Sequence, residues 1–516
     1  MFSSVYSVGI RGIDGYLVQV EVDSGDGLPG FSMVGVLASE VRESQDRVRT
    51  ALKNSGYRLP AQKVTVNLSP ADQRKGGTGF DLPIALAVLA SFGVVETTVL
   101  KDAMLVGELG LDGEVKPIRG ILPMVMAAKE AGLKRCFLPK ENAAEGTVIP
   151  GIDIVGIGTV KELVELLYNP HRIIAESSGI PMWQKQNADS YEVDYAEVNG
   201  QLLLRRATEV AVAGQHNILY IGSAGTGKTM VAQRIPTIMP SLSIEETLEI
   251  SKVYSICGML PSSEPILSKR PFRSPHHSIS PQAFVGGGRN PKPGELSLAT
   301  RGVLFLDELP EFQKHVIETL RQPMEEHKIT ISRVFGSCEF PANFMLVAAM
   351  NPCNCGYYPD RNRCNCSESQ IKHYLSKVSK PILDRMDICV EAAPIAYEEL
   401  KNSGQNEASG IMRGRVEKAR SIQEKRFAQR NIYFNSEMNG EDIRQFCKLT
   451  ESDEYFFQIL FQSMRLSARA YSKILKVART IADLEGAEWI AHPHLCEAIG
   501  YRSIEDKFWG GTHEPL

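Results

Sequence analysis

Apolar and polar positions alternate from Tyr16 to Val22 (YLVQVEV), the pattern of a strand with one buried face. Gln45–Leu52 has helical spacing, and Lys63–Leu68 alternates again. A glycine loop at Lys75–Gly79 then opens the apolar run Leu82–Val95, which is too short to span a bilayer and reads as a core helix. Asp112-Gly113, between Leu109-Gly110-Leu111 and Glu114-Val115, predicts a hairpin turn. Ile121–Ala131 follows as a helix and Cys136–Pro139 as a short strand. The polar, mixed stretch His171–Val193 predicts a linker. Beyond it, a helix over Gln201–Ala213 precedes three short apolar strands, Ile218–Ile221, Gly302–Leu306 and Phe344–Met350. Wholly apolar runs of this length fit strands of a parallel sheet covered on both faces. Lys328–Phe340 reads as a hairpin, and Ala408–Phe427 as a basic helix followed by two or three more through Arg502. The expected organisation is therefore α/β: an α/β domain over 1–170, a linker over 171–193, a P-loop core with a parallel sheet over 194–396, a helical lid over 397–507 and a disordered tail over 508–516.

Two of the three apolar strands run straight into residues with chemistry. Ile218–Ile221 breaks into Gly222-Ser223-Ala224-Gly225-Thr226-Gly227-Lys228-Thr229, the G-x-x-x-x-G-K-[ST] pattern, and an apolar helix face follows. The glycines bring backbone N–H groups close to phosphate oxygens, and the helix N-terminus adds its dipole. Lys228 reaches the β- and γ-phosphates, and the Thr229 hydroxyl is a ligand for Mg²⁺. ATP with Mg²⁺ is thus the expected ligand pair. The second strand ends in Asp307-Glu308: a hard cation selects carboxylate oxygen, so Asp307 fits Mg²⁺, and Glu308 fits the base that polarises the attacking water.

Composition narrows the rest. The chain has 516 residues, a net charge of −4 and no charged start followed by an apolar export segment, so a cytoplasmic protein with no global basic field is expected. Contact with nucleic acid then falls to local loops, with Arg289 and Lys292 on a glycine-rich tip and Arg333 on the later hairpin as candidates, or to ordinary exposed loops with a few cations. Of ten cysteines, Cys353, Cys355, Cys364 and Cys366 lie close together in a stretch with few apolar residues. Four thiolates can enclose a tetrahedral Zn²⁺, although C-x-C is tighter than the usual spacing; the alternative is four free thiols in a loop, and His373 is a substitute ligand.

Two resemblances organise these pieces. Val66–Asn142, with GELGLDGEVKPIRG, AAKEAG and LPKEN, resembles the proteolytic domain of Lon-type proteases, a ribosomal-protein-S5-like α/β fold. The positions matched to that family's Ser–Lys dyad are Gly79 and Met124, and neither can serve as nucleophile or base. The implied domain is non-proteolytic. Asp194–Arg385, with HNILYIGSAGTGKTM, FRSPHHSIS, GELSLATRGVLFLDELPEF, LVAAMNPC and PILDRMD, resembles the magnesium-chelatase-like AAA+ ATPases, and more narrowly their YifB/ComM branch. That resemblance implies that Asn351 positions water near the γ-phosphate, that Arg385 reaches a neighbour's ATP in trans, and that Arg469 leans over the nucleotide of its own subunit. It also implies a homo-hexameric DNA translocase or helicase promoting branch migration, with single-stranded and branched DNA and recombination proteins as partners and no membrane association. A chelatase-type motor or a protein-remodelling motor is the alternative.

Overall fold

The computed structural model describes the chain apart from residues 177–190, 262–263, 289, 334–335, 396–405, 431, 465 and 510–516. The alternating segments near the start pair as expected. A seven-stranded sheet runs in the order Gly30–Val34, Lys63–Ser69, Asp14–Gly25, Phe2–Arg11, Ala103–Leu105, Arg135–Pro139, Asp153–Ile157. The strand Asp14–Gly25 sends Val18, Val20 and Val22 into one apolar cluster with the helix Asp81–Ser91, whose residues are all buried. Leu17 packs on the opposite face with the helix Ile121–Glu130. Burying both faces is what the period of two in side-chain direction dictates once helices cover both sides. The Asp112-Gly113 turn joins a small hairpin of Glu108–Leu109 and Val115–Lys116.

The second sheet has five strands, all parallel, in the order Phe272–Arg273, Val303–Leu306, Met345–Met350, Ile218–Ile221, Ile388–Glu391. Ile218 and Tyr220 face one buried cluster, Leu219 and Ile221 the other. The register pairs Ile221 with Met350 and Leu306 with Ala348, so the P-loop, Asp307-Glu308 and Asn351 all emerge at the same sheet end. Open α/β sheets bind ligands at this carboxyl end.

The C-terminal region is helical: Ser409–Arg426, Gly440–Phe446, Glu451–Ser463, Ala468–Leu484 and His492–Trp509. Among the described residues four helices follow the first, where two or three were expected. The tail expectation also shifts. The last helix runs on to Trp509, because Phe508 is buried and Trp509 Nε1 donates to Leu375 O at 3.1 Å, so its apolar end has a place to pack. Residues 510–516 lie outside the described residues. The start of the expected linker is joined to the first sheet, with Glu176 N donating to Ile154 O at 2.8 Å; positions 177–190 are outside the described residues.

Helix Ile244–Cys257 joins the two sheet units. Gly120 N donates to Ser255 O at 3.1 Å, Lys252 pairs with Asp14 at 3.5 Å, and Ile266 is buried in the apolar cluster of Val8, Met104 and Leu122. Among the described residues no helix is long and apolar enough to cross a membrane.

Candidate active site

The P-loop wraps around its own lysine. Gly227 adopts φ +83° at the N-terminus of helix Lys228–Ile238, a left-handed conformation that a side chain would strain. Lys228 Nζ donates to Gly222 O at 2.7 Å, Ser223 O at 2.8 Å and Asn351 Oδ1 at 3.3 Å. Burial pushes its ammonium below the usual lysine range, and the charge of Asp307 only partly opposes this. Thr229 Oγ1 donates to Asp307 Oδ2 at 2.7 Å, and Glu308 N donates to Asp307 Oδ1 at 2.9 Å. Hydroxyl and carboxylate are therefore side by side, a donor set suited to a hard divalent cation. Glu308 sits at φ +54°, unusual for a residue with a side chain, and its exposed carboxylate is 3.5 Å from His277 Nδ1. Lys228, Thr229, Asp307, Glu308 and Asn351 line one cleft of about 490 Å³, together with Ala224 to Gly227, Glu197, Asn199 and Gln201. That volume lies within the usual range for ligand sites.

Arg385 and Arg469 are elsewhere. They share a second cleft of about 690 Å³ with Glu325, Asp384 and Asp387. Arg385 Nη1 donates to Pro381 O at 2.8 Å, and its Nη2 pairs with Glu325 Oε1 at 2.6 Å; Arg469 Nη2 reaches the same Oε1 at 3.8 Å. Arg469 thus lies at this second cleft and does not line the P-loop cleft. Helix Ala468–Leu484 packs along Leu202–Gly214 and His492–Trp509, and this docking turns its first residues toward Glu325 rather than the P-loop. Asp387 does not pair with Arg385: Lys473 Nζ at 2.8 Å and Asn217 N at 2.9 Å take its oxygens.

Cys353, Cys355, Cys364 and Cys366 bring their sulfurs within 4.8 Å of one another, and His373 is not among them. The later hairpin forms from Lys328–Arg333 and Gly336–Pro341, with Arg333 exposed at its end. The glycine-rich tip pairs Gly286–Gly287 with Lys292–Pro293 and leaves Lys292 exposed; Arg289 lies outside the described residues. The two tips meet, since a Cβ at Gly287 would be 3.4 Å from Arg333 Nη2. In the first unit, Thr78 Oγ1 donates to the Glu108 carboxylate and Met124 is buried.

Sequence reasoning missed two residues. His277 lies within FRSPHHSIS, where nothing in the spacing connects it to Glu308. Glu325 sits in QPMEEH with nothing in its spacing to connect it to Arg385, 60 residues away.

Comparison with known proteins agrees along the whole chain. The family described as magnesium chelatase, subunit ChlI, matches residues 194–400; two further descriptions, subunit ChlI of Mg-chelatase and its C-terminal part, match 20–142 and 406–502. The competence protein ComM of Haemophilus influenzae is 40% identical over 501 residues, covering 97% of both chains. The uncharacterized protein YifB of Escherichia coli is 39% identical over 505 residues, covering 98% of this chain and 97% of its own. Lon protease 2 of Bacillus subtilis is 31% identical over 137 residues, 26% of this chain and 24% of its own length. The chain belongs to the magnesium-chelatase-like family of AAA+ ATPases, in the branch that contains ComM and YifB, and carries a Lon-like region in front of its ATPase core.

Proposed function

We propose that the protein is a ring-forming ATPase that uses hydrolysis to move DNA, promoting branch migration. The observation that carries this reading is the split of the catalytic set: Lys228, Thr229, Asp307, Glu308 and Asn351 meet in one cleft, while Arg385 and Arg469 pair with Glu325 in another. On this reading Arg385, away from its own subunit's cleft, serves a neighbouring subunit's nucleotide, as an arginine supplied in trans stabilises charge developing on a transferred phosphoryl group. A homo-hexamer is the ring the family resemblance implies, with Arg385 acting across its interfaces. Within a subunit, Lys228 holds the phosphates, Asn351 and Glu308 orient and deprotonate the attacking water, and Thr229 and Asp307 hold Mg²⁺. The cation neutralises phosphate charge when bound. Lys292, Arg333 and Arg289 are the DNA contacts of this reading. ComM is by its name a competence protein, which supports DNA taken up by cells as the substrate. The four cysteines hold a structural zinc.

The test is ATP turnover with no DNA, single-stranded DNA and forked DNA, beside Glu308→Gln. Stimulation by DNA with hydrolysis down by about 10²–10⁴ in the variant is expected, the range for loss of a general base. Turnover indifferent to every DNA but raised by a porphyrin or an unfolded protein would replace the DNA reading with a chelatase-type or remodelling motor.

A further inference from the structure

Residues 351–367 connect the strand that delivers Asn351 to the helix Glu368–Ser376, and on the way they touch the P-loop. Asn351 Oδ1 accepts from Lys228 at 3.3 Å. Gly356, at φ +83°, passes so close that a Cβ there would be 3.9 Å from Ala224 N and 4.0 Å from Ser223 Cα. On the other side Tyr358 meets Phe508 edge to face, with ring centroids 6.0 Å apart. The segment is thus wedged between the P-loop and the last helix, yet it has little apolar surface of its own.

Its shape centres on sulfur. Cys353 and Cys364 are buried, and the Sγ···Sγ separations are 3.3 Å for Cys353–Cys355, 3.8 Å for Cys353–Cys364 and 3.5 Å for Cys355–Cys364. A tetrahedral zinc with Zn–S bonds of about 2.3 Å has S···S edges of about 3.8 Å, so the cage has the size for one ion. Tyr358 N donates to Cys353 Sγ at 3.4 Å, the kind of outer hydrogen bond that steadies a liganding thiolate. Gly356 lies in the loop closed by Cys355 and Cys364, and Cys353 is two residues from Asn351.

We infer that zinc at Cys353, Cys355, Cys364 and Cys366 clamps Gly356 and Asn351 against the P-loop, so that metal occupancy sets nucleotide affinity. This rests on the zinc reading above and adds the coupling. The segment's own ties here are Tyr358 on Phe508 and the turn in which Gly356 N donates to Cys353 O at 3.0 Å; without the ion, Gly356 is held less firmly beside Ser223 and Ala224. The P-loop then samples more conformations before phosphate binds, and affinity falls through that lost preorganisation.

The experiment uses the full chain. Elemental analysis and cobalt substitution, read by thiolate-to-cobalt charge-transfer absorption, report the metal. Titration with a fluorescent ATP analogue reports affinity before chelation, after it and after zinc is returned. The expected result is one zinc per chain, affinity weaker by about tenfold or more when zinc is removed, and recovery on its return. Cys355→Ser should reproduce the loss, and Cys496→Ser, outside the cluster, should not. Absence of zinc together with absence of a cobalt–thiolate band overturns the metal reading itself. Zinc that is present but can be removed with affinity unchanged overturns the coupling and leaves the metal reading standing. Should Cys355→Ser fail to fold, chelation and return of zinc on the folded wild-type chain still decide between these outcomes.

Discussion

Lys228 has its three donor positions occupied before any phosphate arrives, by Gly222 O, Ser223 O and Asn351 Oδ1. Phosphate binding exchanges these weak acceptors for charged ones, whose negative charge offsets the burial that depresses the ammonium. Lys228→Ala should therefore weaken ATP binding by about 1.5–3 kcal/mol, measured by calorimetric titration, with little change in melting temperature. An affinity equal to wild type would mean the loop binds phosphate through backbone alone. Lys228 was legible in the sequence because the motif is consecutive: loop, lysine and hydroxyl lie within eight residues. The strained φ of Glu308 and its contact with His277 were not legible, since they depend on how a distant loop folds back over the sheet end.

Among the elements, helix Ala468–Leu484 decides where Arg469 points. Its buried face is fixed by polar ties as well as apolar ones: Lys473 to Asp387 at 2.8 Å, Thr480 to His216 at 2.8 Å, and Asp483 to Arg479 at 3.1 Å, with Arg426 on the same carboxylate. Removing one partner of a buried pair leaves the other charge uncompensated, so Lys473→Met should cost about 3–5 kcal/mol in chemical denaturation. Burial pushes the Asp387 carboxyl up, but the Lys473 charge and the His216 contact outweigh it and hold the group far below the usual carboxylate range. A folded-state pKa that is depressed gives stability that is full above the unfolded value of about 3.9 and is lost as pH falls below it. Melting temperature should therefore drop more steeply below about pH 4 in wild type than in Asp387→Asn, where the titrating group is gone. The Arg479–Asp483 pair was readable from its i, i+4 spacing. The Lys473–Asp387 tie was not, because 86 residues separate its partners in sequence.

For the whole molecule, the separation of the two clefts bears on the proposed ring, in which a subunit's site would be completed by its neighbour's arginine. In a ring whose interfaces are head to tail, mixing inactive Lys228→Ala chains with inactive Arg385→Ala chains rebuilds competent interfaces: an intact cleft from one variant faces an intact arginine from the other. Equal mixing should restore about a quarter of the interfaces, and with them measurable ATP turnover. A mixture that stays inactive would place Arg385 in its own subunit's chemistry. The parallel core, the P-loop and the Lon-like front were all visible in the sequence, because each is a local run. Where the helix of Arg469 places that side chain is a property of packing alone, which the helical pattern of its segment does not carry.

The Lon-like front unit also limits what one substitution could achieve. At the position matched to the protease nucleophile, a Cβ on Gly79 would be 3.0 Å from Ile118 Cδ1. The position matched to the lysine, Met124, is 7% exposed among Met104, Leu122 and Val125, where an ammonium would lose its hydration. A single substitution at either position would meet crowding from Ile118 or the cost of burying a charge, so matched changes at both positions and local repacking are what a Ser–Lys pair here would take.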